Sequence, residues 1–116
     1  MDFELMIKEA QNVLPGLREG EYVTVFRTAK GNMYTETAAF LRADAPYALL
    51  DRLAGLQDTH ITALLCAHGP AGAPRLERPS AVNCRALAAL HPENRNAVVA
   101  VQGENGILLR RIAVFL

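Results

Sequence analysis

The stretch "EYVTVFRTAKGNMYTETAAFL", residues 21–41, decides the fold class of this chain. Both halves are rich in β-branched and aromatic residues, and they flank Lys30-Gly31-Asn32, a turn in which Gly31 supplies the positive φ. The pattern predicts two strands, Tyr22 to Thr28 and Met33 to Phe40, paired as an antiparallel hairpin.

The segments next to this hairpin alternate between helix and strand patterns. Residues 3–14 repeat apolar side chains every three or four positions, which predicts a first helix. In "ADAPYALLDRLAGL" (43–56), Asp44 is predicted to cap a second helix, with Pro46 in its first turn. The apolar run "HITALLCA" (60–67) predicts a strand buried on both faces, and the Gly- and Pro-rich residues 68–79 predict a loop.

The last third of the chain continues this alternation. Ser80 is predicted to cap a third helix, which ends at His91-Pro92. "NAVVAVQGENGILLRRIAVFL" (96–116) predicts a strand and a turn, and residues 110–116 fit either a strand or a helix. Strands separated by helices favour right-handed crossovers, so we predict a single α/β domain over residues 1–116. Its predicted architecture is a three-layer α/β/α sandwich, with a mixed sheet of about five strands and an N-terminal antiparallel hairpin.

Composition narrows the classes of partner. The 12 basic residues balance 12 acidic ones, so the chain lacks the positive charge typical of nucleic-acid-binding proteins, and we expect no nucleic-acid partner. No apolar run approaches the roughly 20 residues of a membrane span, and the N-terminal segment carries acids where a signal peptide carries basic residues. Two cysteines in strand-like and helix-like contexts fit a reducing compartment, so we expect a cytoplasmic protein with no membrane partner.

Three phrases of the sequence stand out: "GNMYTET" (31–37), the Cys84-Arg85 pair in "RPSAVNCRALAALHP" (78–92), and "GENGILLRR" (103–111). Together with the order of elements, over nearly the whole chain, they resemble the cytidine deaminase family. The resemblance implies a cytidine-deaminase-like fold and assembly into dimers or tetramers. In that family, His-or-Cys-x-Glu opens the second helix and Pro-Cys-x-x-Cys opens the third; three of these side chains hold zinc and the Glu transfers protons.

The sequence departs from this signature at three of the zinc-site roles, and only Cys84 and Arg85 match the family's Cys-Arg. The second-helix start, "RADAPY" (42–47), offers only Asp44, an acid one carbon shorter than Glu, and at the third helix Ser80 or Ala81 replaces the first Cys. "TAAFL" (37–41) lacks the nucleoside-binding Asn and Glu that the resemblance implies. We therefore predict a non-catalytic, oligomeric member that has lost zinc and nucleoside binding and has no cofactor. Asp44 is the one candidate proton shuttle.

A rebuilt metal site is the alternative. Cys66 and His68 end the apolar strand, where the resembling fold brings them toward Cys84, and zinc accepts such mixed sulfur and nitrogen ligands. The alternative function is then a zinc-dependent nucleoside or nucleobase deaminase with a rearranged site. Against it, cysteine is often simply a small buried hydrophobe, and histidine in such a loop is usually solvated.

A binding site for a small ligand is the other expectation. Arg78, Ser80, Cys84 and Arg85 lie near the predicted N-terminus of the third helix, where backbone N–H groups favour an anion. They are the candidate ligand-binding residues for a small anionic or nucleoside-like molecule, unless the arginines are only solvated surface charges. The apolar end "RRIAVFL" (110–116) predicts self-association.

Overall fold

The hairpin formed by residues 21–39 makes one side of a mixed sheet. The structure is a computed structural model that describes residues 3–116; Met1 and Asp2, part of the predicted domain, lie outside the described residues. The helices and strands, in chain order, are α1 (Phe3–Val13), β1 (Glu21–Thr28), β2 (Met33–Ala39), α2 (Leu49–Gly55), β3 (Ile61–His68), β4 (Arg75–Glu77), α3 (Ala81–Leu90), β5 (Val98–Gly103) and β6 (Gly106–Arg111).

The strand order confirms the α/β class and the N-terminal hairpin. The main path of the sheet runs β2-β1-β3-β5-β6, with β4 paired to β3. The β3–β5 pair is parallel and the other pairs are antiparallel. Gly31 has a φ of 86°, as the predicted turn requires. A parallel pair needs a crossover, and the chain between β3 and β5 supplies α3 for it.

Alternating side chains divide the core into two clusters on opposite faces of the sheet. Phe26, Leu64 and Val99 belong to one cluster, which also contains buried residues of α2 and α3. Val25 and Leu65 belong to the other, to which α1 contributes. The three-layer sandwich stays a prediction, and this division of helix residues between the clusters supports it. In residues 3–116, no helix has the length and apolar character needed to cross a membrane.

The predicted start of α2 is wrong. The helix begins at Leu49, and Asp44 and Pro46 lie in the irregular segment before it. The first N–H groups donate instead to the Glu36 carboxylate on β2, at 3.2 Å from Ala48 and 2.7 Å from Leu49. A side chain from another strand therefore satisfies the helix terminus that Asp44 was predicted to cap.

Two further differences enlarge the sheet. The predicted loop at 68–79 contains β4, which pairs with β3 in a register that places the backbone of Glu77 opposite that of Cys66. Within residues 110–116, the first two residues end β6 and the next four form a 3-10 helix, Ile112–Phe115. The sheet thus has six strands rather than about five, because a three-residue strand is too short to show a period in sequence.

A buried carboxylate ties the hairpin turn to the rest of the sheet. Asp58 is 3% exposed, and its Oδ2 accepts hydrogen bonds from the side chains of Thr28, Asn32 and Tyr34 at 2.9 to 3.0 Å. Burial acts to raise the pKa of Asp58, but the three hydrogen bonds and Lys30 together lower the pKa below its ordinary value. The charged carboxylate therefore stabilises the folded hairpin.

Candidate ligand pocket

A pocket of about 420 Å³ lies where the start of α3 meets β1, β3, β4 and the segment before α2. Four of its lining side chains are aromatic, and the others are small, polar or charged. The lining residues are Tyr22, Phe40, Ala43, Asp44, Tyr47, Cys66, Glu77, Arg78, Pro79, Ser80, Ala81 and Phe115.

The start of α3 is built as the sequence predicts. Ser80 is the N-cap, and its Oγ accepts a hydrogen bond from the Asn83 backbone N–H at 3.2 Å. This cap fixes the direction in which the first turn of α3 faces the pocket.

The opposite wall is held by the side chain of Asn83, which the sequence analysis missed. Its Oδ1 accepts from the Tyr47 N–H at 2.9 Å, and its Nδ2 donates to the carbonyls of Ala43 and Ala45 at 3.2 and 3.1 Å. Asn83 is 1% exposed, so these bonds form in the protein interior. The only sequence signal is an amide in the first turn of a largely apolar helix.

Aromatic rings give the pocket flat apolar surfaces. The rings of Tyr22 and Phe40 lie 5.0 Å apart, and Tyr47 meets Phe26 edge-on at 4.9 Å. The Arg78 guanidinium carbon lies 6.0 Å from the centre of the Phe115 ring, at the outer distance of a cation–π contact. These ring contacts fix the shape of the pocket without filling it.

Cys66 contributes a protonated thiol to the lining. Its Sγ lies 3.4 Å from the Thr24 hydroxyl and 3.7 Å from the Tyr47 hydroxyl. Burial raises the pKa of the Cys66 thiol above its usual value, and burial together with the nearby Cys66 raises the pKa of Tyr47 well above 10. At neutral pH both groups stay neutral, so they act as hydrogen-bonding groups rather than as charges.

Cys84 lies behind the pocket wall. It is fully buried, and its Sγ is 3.9 Å from the carbonyl of Pro79. Burial, and next the proximity of Cys66, raise the pKa of the Cys84 thiol to about 11. Arg85 follows on α3 and is exposed, outside the lining of the pocket.

His68 contacts Glu77 and Phe40. Its Nε2 lies 3.0 Å from the Glu77 carboxylate, and its ring meets Phe40 edge-on at 5.0 Å. Across the described chain from residue 3 onward, no group of three or more His, Cys, Asp or Glu side chains is arranged to hold a metal ion. Cys66, His68 and Cys84 are therefore not brought together as a ligand set.

The pocket unites some of the residues predicted from the sequence and omits others. Asp44, Cys66, Arg78 and Ser80 line it together. Cys84, Arg85 and His68 lie outside its lining. The aromatic lining was missed, because its rings come from four separate segments: Tyr22, Phe40, Tyr47 and Phe115.

A scan against protein-family models finds no match to this sequence, and a search of curated proteins finds no significant match either.

Proposed function

We propose that this protein is a non-catalytic binding protein that lacks the cytidine deaminase family's own nucleoside contacts and whose pocket, through other residues, takes a small nucleoside-like molecule: a flat ring with a polar or anionic substituent. The observation that carries the proposal is the combination of aromatic rings with Arg78, Ser80 and Asp44 in one pocket. A volume of about 420 Å³ falls within the range of small-molecule sites.

The aromatic residues account for the ring of the ligand. Tyr22 and Phe40 form one pair of rings, and Phe115 supplies a further surface near Arg78. Flat ligands gain apolar contact and offset or edge-on ring contacts from such surfaces. A purely aliphatic ligand would gain the apolar contact but not the ring-to-ring contacts.

The charged and hydroxyl groups account for the substituents. Arg78 is exposed at the pocket, next to the capped N-terminus of α3, so a phosphate or carboxylate is attracted there. Asp44 supplies an acceptor for an amino group on the ring. The Glu77 carboxylate already faces His68, which leaves Arg78 and Asp44 as the groups that distinguish ligands.

The state of the cysteines supports a binding role rather than catalysis. Thiolates, not thiols, attack substrates and bind metals, and burial raises the pKa of both Cys66 and Cys84. The proposal includes the resemblance to cytidine deaminases: the protein has a deaminase-like scaffold without the family's zinc signature. It also includes self-association and a reducing compartment such as the cytoplasm. Both cysteines are free and buried.

Calorimetry with cytidine, cytidine monophosphate and inorganic phosphate tests the proposal. We expect the nucleotide to bind most tightly, Arg78→Ala to weaken it by about tenfold, and Arg85→Ala, an exposed arginine outside the lining, to leave it unchanged. Binding of phosphate alone with equal affinity would show an anion site without ring recognition. Release of uridine from cytidine, together with one zinc per chain by elemental analysis, would overturn the proposal in favour of the rearranged deaminase. Loss of that zinc in Cys84→Ser would identify Cys84 as a zinc ligand.

A further inference from the structure

We propose that β6 is the self-association surface: its free edge pairs antiparallel with β6 of a second copy, which joins two sheets across a two-fold axis. This inference rests on the proposed self-association and names the surface that carries it.

The free edge of β6 is unusually apolar for a terminal strand. In the part of the chain that the structure describes, β6 ends the main strand path, and all six of its residues are exposed. Ile107, Leu108 and Leu109 are 50%, 42% and 53% exposed. Its pairing with β5 shows no register shift, and its sequence has no proline to block a neighbour.

The alternation of hydrogen bonds along the β5–β6 pair shows which backbone groups of β6 face away from the sheet. The Ile112 N–H donates to the Ala97 carbonyl at 3.0 Å, so even-numbered residues of this ladder direct their backbone groups toward β5. Those of Ile107, Leu109 and Arg111 then point away from the sheet. The Leu109 carbonyl accepts a hydrogen bond from the Arg110 side chain at 3.0 Å, which pairing would release.

Two-fold pairing restricts the register. Opposed residues of antiparallel strands point to the same face, so Leu108 must oppose Leu108 of the second copy if Ile107 is to oppose Leu109. In this register the outward-facing backbone N–H and C=O groups of Ile107 lie opposite those of Leu109 in the second copy, and each such pair exchanges two backbone hydrogen bonds. The three apolar side chains of each strand are then opposed to apolar side chains.

Charge favours the antiparallel direction and a copy of the same chain. Glu104 lies in the turn before β6, whereas Arg110 and Arg111 end the strand. Antiparallel pairing brings the acidic end of one strand to the basic end of the other, and parallel pairing would bring the arginines together. The opposite edge strand, β2, exposes Thr35 and Thr37 and offers no comparable apolar run.

Light scattering during size-exclusion chromatography, with engineered cysteine crosslinking, tests this inference. We expect a dimer that Leu109→Lys weakens by about tenfold or more, while Leu56→Lys, at a matched exposure of 51%, leaves it unchanged. Glu104→Arg and Arg110→Glu should each weaken the dimer, and the double variant should restore it. Leu108→Cys should crosslink to itself under mild oxidation and Ile107→Cys much less, because directly opposed residues of this kind lie about 4.5 Å apart at Cα.

The outcomes separate the two proposals. A monomer at every concentration would overturn both self-association and the β6 surface. A dimer that resists Leu109→Lys and does not crosslink through Leu108→Cys would leave self-association standing and overturn the β6 surface. Folding of each variant is checked by circular dichroism, and the substituted side chains are solvent-exposed.

Discussion

Replacing Asn83 by alanine should loosen the wall of the pocket and destabilise the fold. The side chain makes three hydrogen bonds to the backbone between Ala43 and Tyr47. Alanine leaves those groups without their partner, while the Ser80 cap, which uses the backbone N–H of residue 83, remains. The change therefore removes the clamp and keeps the start of α3.

The magnitude follows from where each group is left. Tyr47 is buried, so its N–H has no access to water, which costs about 1 to 3 kcal/mol. Ala45 is exposed and Ala43 is half-buried, so water replaces most of the lost partner at their carbonyls, at roughly 0.5 kcal/mol each. The higher helix propensity of alanine returns about 0.5 kcal/mol. We expect a net loss of about 1.5 to 3.5 kcal/mol in the free energy of unfolding.

Urea unfolding followed by circular dichroism measures this loss of stability. The comparison requires that the m-value, the slope of the free energy of unfolding against urea concentration, is the same in both proteins. Asn96→Ala is the matched control, because Asn96 is exposed and its amide bonds only the Glu93 carboxylate, at 3.3 Å. We expect that control to change stability by less than about 0.5 kcal/mol. A loss for Asn83→Ala no larger than that of Asn96→Ala would refute the clamp.

Three more predictions concern other parts of the molecule. Because the pKa of Asp58 is lowered on folding, its contribution to stability is present at neutral pH and is lost as pH falls through and below its ordinary value of 3.8. Asp58→Asn should therefore reduce the loss of stability at acid pH, measured by urea titrations at several pH values. An unchanged loss in that variant would contradict the role of Asp58. A Cβ on Gly103 would lie 2.9 Å from the Gly106 carbonyl, so Gly103→Ala should cost about 1 to 3 kcal/mol in thermal melts, whereas Gly16→Ala, with nothing within 4 Å, should be nearly neutral. Cys66 and Cys84 should resist a thiol reagent at pH 8 until the protein unfolds; fast labelling of the native protein would show that the thiols are accessible.

The parts of the fold that sequence predicts are those decided by neighbouring residues. The hairpin follows from alternating side chains around Gly31, and its observed strands differ from the predicted ones by one residue at an end. The Ser80 cap follows equally from a local pattern. The start of α2 could not be predicted, because its cap, Glu36, comes from a different strand.

The pocket was predictable only in part for the same reason. Asp44, Arg78 and Ser80 were identified because they lie beside predicted helix starts, and the pocket includes all three. The aromatic lining and the Asn83 clamp depend on contacts between segments about 20 to 90 residues apart, which a single sequence does not encode as a period. Cys84 was expected at the site, but α3 turns its thiol into the core.

The way in which Asn83 and Glu36 hold the segment before α2 has a consequence for redesign. Both side chains bind main-chain atoms there: the carbonyls of residues 43 and 45 and the N–H groups of residues 47 to 49. The backbone path is thus fixed from outside, and the side chains of Ala43 and Asp44 line the pocket without supporting the path. A library randomised at these two positions would alter which molecules enter while the scaffold stays intact, as a recognition loop does on a fixed framework.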